Sequence, residues 1–126
     1  LEFMDELKRF NYDNIYFHER LNIYREYARL VLRSLCATLA GWYRGPQTVG
    51  VVAEKARLYP ALAGEFVGWL RKHSDVLAGP DREGRYGNTV LYRLADERDY
   101  RQAVVDYISG MTDAFAIRAF EELTTF

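Results

Sequence analysis

Apolar residues in this chain recur at intervals of three and four, the repeat that stacks side chains on one face of an α-helix. Strict alternation is confined to a few residues near "TVLYRL". The pattern predicts an all-α fold, a compact multi-helix bundle with one long central helix and a glycine-rich loop. A first helix is expected over about residues 2–16, with Phe3, Leu7, Phe10 and Ile15 on its apolar side. The longest follows over about 19–42, where Tyr24, Ala28, Val31, Leu35, Leu39 and Trp42 form a stripe. Leu30, Leu32 and Cys36 widen that stripe, which predicts packing on more than one side. Gly45 and Pro46 supply a stop and a barrier to continuation. A helix over about 48–58 comes next. Pro60 then suits the first turn of a helix whose stripe is Leu62, Phe66, Trp69 and His73. Residues 78–88, rich in glycine and charge, predict an exposed loop. Asn88 can cap a short helix starting at Thr89, a stretch that also fits a brief strand; final helices run over about 97–123.

Composition narrows the classes. With 126 residues, 49% of them hydrophobic, the chain suffices for one helical domain spanning 1–126. The formal charge of -1 comes from 17 basic and 18 acidic residues interspersed along the chain, so nucleic acid is an unfavoured partner. Cys36 is the single cysteine and reads as a small buried hydrophobe. No run of about 18 apolar residues is present to cross a membrane, and no basic start leads into an apolar signal core. A reducing, cytoplasmic setting is therefore expected. Apolar spacing already begins at Phe3, which reads as a helix entered part-way and hence as one piece of a longer protein; alternatively Leu1–Phe3 is a cloning remnant before Met4.

Candidate chemistry concentrates in "DYISGMTDAFA", residues 106–116. On a continuous helix, Asp106 and Asp113 would share a face and could hold a hard cation or divide acid and base roles. The competing reading breaks the helix near Gly110, caps the next one with Thr112 and places Asp113 in its first turn. Of the two histidines, His73 continues an apolar stripe, and His18 stands at a turn beside Glu19 and Arg20, where it either caps a helix or contacts a ligand or another domain. Neither belongs to an HExxH arrangement. Arg25, Arg29 and Arg33 recur every four residues as a basic ridge, partly neutralised by Glu19 and Glu26. The glycine loop lacks the Gly-Lys-Ser/Thr ending that a phosphate loop requires.

Taken with "LKRFNYDNIYFHERLNIYREYARLVLRSL", the segment "DYISGMTDAFA" resembles bacterial deoxynucleoside triphosphate triphosphohydrolases, the dGTPase-like branch of the HD superfamily. The likeness covers about residues 6–35 and 102–123. It implies the C-terminal phosphohydrolase-associated part of an enzyme that releases triphosphate from a deoxynucleotide. In such enzymes a divalent metal is held by histidines and aspartates of an N-terminal HD domain. No His-Asp pair occurs here, so no catalytic residue, metal ligand or cofactor is assigned to this chain, and by itself it is expected to be inactive. The resemblance maps onto Tyr16, His18 and Arg20 at the early turn, with Glu19 where proline is usual, and onto Asp106, Tyr107, Gly110, Met111, Thr112 and Asp113. Together with Arg25 of the ridge, Tyr16, His18, Arg20, Asp106, Tyr107 and Asp113 are candidates for the nucleotide pocket or a domain contact. Gly110, Met111 and Thr112 are candidates for a structural joint.

The expected partners are thus the HD domain, a deoxynucleotide in the intact enzyme and further copies of the same chain, with no membrane involved. Two alternatives are a free-standing helical interaction module, favoured by the 15% aromatic content, and nucleotide or nucleic-acid binding along the arginine ridge.

Overall fold

The computed structural model describes residues 2–11, 19–77, 86 and 89–125. Among them are six α-helices: α1 (Glu2–Asn11), α2 (Glu19–Gly41), α3 (Thr48–Lys55), α4 (Leu62–His73), α5 (Glu97–Ser109) and α6 (Asp113–Thr124). No strand occurs among the described residues, only isolated bridges at Arg44 with Pro46 and at Ser74 with Tyr92. The fold is all-α. None of the described helices is long and apolar enough to cross a membrane.

The chain divides into two compact units, Leu1–Val31 and Leu32–Phe126, and α2 runs through the division without a break. In the first unit, α1 has Glu2 and Asp5 in its opening turn and Lys8 and Arg9 in its last, each sign matched to the helix dipole. Its side chains Phe3, Met4 and Leu7 stay exposed. The predicted extension of this helix over 12–16, and the turn at Tyr16 and His18, lie outside the described residues.

In the second unit the α2 stripe does what its spacing predicts, for Leu35 and Leu39 are fully buried and Trp42 nearly so. The wider surface does not. Leu32 is 45% exposed, as is Leu30 of the first unit at 54%, and Cys36 is half-buried, so full burial on α2 is confined to its three-four stripe. Gly45 makes the α2–α3 turn at φ 59, a conformation that disfavours a Cβ. Buried Thr48 secures that turn, its hydroxyl donating to the Gly45 carbonyl at 2.7 Å and accepting from the Arg44 amide at 2.8 Å.

The third helix ends at Lys55, and residues 56–58 continue as turns where the sequence predicted helix. Pro60 lies just ahead of α4, in the turn before its first residue rather than within its first turn. Of the expected α4 stripe Leu62 and Phe66 are completely buried and Trp69 and His73 half-buried, while Leu70, outside it, is also completely buried; each fully buried side chain contributes about 1.5–3 kcal/mol. Rings gather around the stripe: Phe66 packs on Tyr107 at 4.7 Å between centroids, and Trp69 on Tyr92 at 5.4 Å and on His73 at 4.8 Å.

Residues 89–96 form neither the predicted short helix nor a strand. Backbone bonds instead clip them beside the end of α4: the amides of Leu91 and Tyr92 donate to the His73 carbonyl, and the Asp75 amide donates to the Tyr92 carbonyl. The Asp75 carboxylate accepts from the Leu94 amide at 3.0 Å, and the Tyr43 hydroxyl donates to the Leu94 carbonyl at 2.8 Å. Asp96 then caps α5 by accepting from the Arg98 amide.

Candidate functional site

The joint between α5 and α6 organises the site. At the end of α5 the Gly110 amide donates to the carbonyls of Asp106 and Tyr107, and the Met111 amide to that of Ile108. Gly110 has φ -86 and ψ -2, a right-handed conformation open to any residue. Thr112 makes the change of direction, with extended φ -73 and ψ 158, and its hydroxyl accepts from the Phe115 amide at 3.1 Å. The helical run is therefore broken between the two aspartates. Asp113 starts α6, exposed, where a negative charge suits the helix N-terminus.

Asp106 is fully engaged. Its Oδ2 accepts from the Tyr92 hydroxyl at 2.5 Å and its Oδ1 from the Gln102 amide at 2.9 Å. These two bonds, Tyr92 first, hold its carboxyl below the usual aspartate range despite some desolvation. Tyr92 is buried, and burial, followed by its bond to Asp106 and that carboxylate's charge, pushes its phenol well above the usual range. The next residue of α5, Tyr107, is 9% exposed and directs its hydroxyl toward the Leu62 carbonyl at 3.4 Å. Burial raises its phenol too, and the charges of Glu65 and Glu122 add to the effect.

Between α4, the joint and α6 opens a cleft of about 320 Å³. Glu65 and Trp69 line it from α4, Asp106 and Tyr107 from α5, Gly110, Met111 and Thr112 from the joint, and Phe115 from α6. Its charged wall residues are both carboxylates. The Arg118 guanidinium lies 5.5 Å from the Phe115 ring centre without lining the cleft. From the last turn of α6, Glu122 reaches back to α4: its two oxygens accept from the amides of Ala61 at 2.8 Å and Leu62 at 2.9 Å.

Of the residues singled out from sequence, Asp106, Tyr107, Gly110, Met111 and Thr112 meet in this cleft, and Asp113 stands next to it. Arg20 and Arg25 belong to the other unit, both on the exposed surface of α2. In the arginine ridge Arg29 pairs with Glu26 at 2.9 Å, both side chains largely in water, a contact worth little. Tyr16 and His18 lie outside the described residues. Sequence reading missed Glu65, Trp69, Tyr92, Gln102, Phe115 and Glu122. Gln102 was detectable, four residues before Asp106 on one helix face; Tyr92 and Glu122 act across folds in the chain that no local spacing marks. Among the described residues no three His, Cys, Asp or Glu side chains converge where a metal ion could be held.

Residues 83–122 match the family model of the phosphohydrolase-associated domain. This stretch, about a third of the chain, takes in the Tyr92 segment, α5, the joint and α6 through Glu122. The match supports a phosphohydrolase-associated region, of the kind that accompanies an HD phosphohydrolase domain, and it does not reach residues 6–35. No curated protein matches the chain, and no solved structure does. Within the matched stretch, three of the polar side chains described above tie the fold together. Asp106 ties the Tyr92 segment to α5, Thr112 caps α6, and Glu122 fastens α6 to α4. What stays open is the aromatic and methionine wall of the cleft.

Proposed function

We propose that this chain is the accessory part of a deoxynucleotide triphosphohydrolase, packing against an HD metal domain, helping to shape the nucleotide pocket and contributing contacts between copies. The observation that carries the reading is the state of the signature residues. Asp106 and Thr112, the groups most able to do chemistry, already serve as acceptors within the fold, while Trp69, Met111 and Phe115 form an open wall suited to a neighbour. The exposure of Phe3 at 73% and Met4 at 52% adds apolar surface of the kind that a partner domain covers.

Among the described residues no three His, Cys, Asp or Glu side chains come together as a metal site would need. A divalent ion would be held by the partner domain, where it would polarise the phosphoryl group and activate water. The role of this chain is positional. The test is to assay metal-dependent triphosphate release from deoxynucleoside triphosphates by this chain alone and by the chain joined to its HD domain. Release by the joined protein and none by the isolated chain is expected. Turnover by the isolated chain, or a joined protein inert toward every deoxynucleotide, would overturn the reading.

A further inference from the structure

We infer that the cleft between α4 and the α5–α6 joint receives an arginine side chain from the HD domain, and that it is not a seat for phosphate. The inference rests on the pairing proposed above and names the chemistry of its contact. Both charged residues on the cleft wall, Glu65 and Asp106, are carboxylates. Tyr92 and Gln102 each hold one oxygen of Asp106, which fixes its orientation and favours its charged form. Glu122, with its oxygens on the Ala61 and Leu62 amides, stands nearby and adds no positive charge to the cleft. A phosphate brought here meets like charge at short range, where repulsion is strong.

The N-terminus of α6 is partly neutralised from within the chain. Thr112 already accepts from the Phe115 amide, and Asp113 places another carboxylate in the first turn. The remaining wall is Trp69, Phe115 and Met111, apolar and largely aromatic. A cation with a long apolar stem meets both demands, and the planar guanidinium does so better than an ammonium because it also stacks on ring faces. Arg118 already makes such a contact with Phe115 from outside the cleft, which leaves Trp69 as the ring to be covered by the incoming group. The cleft volume of about 320 Å³ admits a side chain of that length.

The test uses the isolated chain, isotope-labelled, with the Trp69 indole and the Gly110 and Met111 amides as reporters in nuclear magnetic resonance spectra. The probes are acetyl-Gly-Arg-Gly-amide, its citrulline counterpart, which keeps the shape but loses the charge, and inorganic tripolyphosphate. Saturable shifts at all three reporters are expected with the arginine peptide. They should be about fivefold weaker with citrulline, weaker again in high salt, and about fivefold weaker for Glu65→Gln, as for a partly desolvated charge contact on an aromatic face. Equal binding of the citrulline peptide, no shift with either peptide, or tripolyphosphate shifting the same three signals would overturn the inference. Arginine capture by a chain that fails to join an HD domain would sink the pairing alone. Pairing without arginine capture would sink only the inference.

Discussion

Leu62 and Glu122 stand 60 positions apart in sequence, yet the Leu62 amide donates to Oε1 of Glu122 at 2.9 Å. The other oxygen takes the amide of Ala61, so one side chain from the end of α6 caps the start of α4. No side chain of the local sequence does this, and Pro60 has no amide to offer. Replacement Glu122→Ala leaves two half-buried donors without a partner and should cost about 1–3 kcal/mol. Glu122→Gln, which keeps one acceptor, should cost less. Urea unfolding followed by circular dichroism separates the two.

The Tyr92–Asp106 bond makes stability depend on acid. Hydrogen bonds lower the folded carboxyl below the usual value of about 3.9, so its contribution is present above that value. It is lost as pH falls through the depressed folded value. Asp106→Asn should flatten the acid limb of a stability-against-pH curve, and Tyr92→Phe should do so partly while costing about 0.5–1.5 kcal/mol near neutrality. Denaturant midpoints between neutral and strongly acidic pH read both effects.

Alkali acts on the other partner and its neighbours. Burial raises the phenols of Tyr92, Tyr100 and Tyr107, and buried Tyr100 donates to the Leu39 carbonyl. A raised folded value contributes stability that is complete below the unfolded value of about 10 and is lost as pH rises beyond it. Midpoints should therefore fall above about pH 10. Phenolate absorbance should show these three rings ionising together with unfolding, after the exposed tyrosines have titrated.

Glycine and threonine at the joint separate by mutation. Gly110→Ala meets only ordinary contacts, 3.6 Å from the Tyr107 carbonyl oxygen and 3.7 Å from that of Asp106, at a φ of -86. It should change stability by no more than about 1 kcal/mol and can raise it. Thr112→Ala removes the α6 cap and should cost about 1 kcal/mol, with Thr112→Ser retaining most of it. Gly45→Ala, at φ 59, should cost about 1–2 kcal/mol through backbone strain alone, since nothing lies within 4 Å of the new methyl group. Calorimetric midpoints of the four variants give the order.

These contrasts mark how far the sequence was legible. The three-four spacing located the helices and the buried face of α2 at Leu35, Leu39 and Trp42, because burial of a helix face leaves a periodic trace. Thr112 was readable as a cap from its position before an apolar run. The 89–96 segment was not, since "TVLYRL" satisfies helix and strand patterns alike and its actual conformation is imposed by His73, Asp75 and Tyr43. Asp106 drew attention for its spacing from Asp113. Its real partners are Tyr92 and Gln102, and only the helix break at the joint decides between the two accounts.

The reach of Glu122 back to Ala61 and Leu62 also limits where the polypeptide can be trimmed. A chain stopped at Glu121 would lose only five residues, three of them the last of α6, yet the damage would surface far upstream, at the opening turn of the helix that bears Trp69.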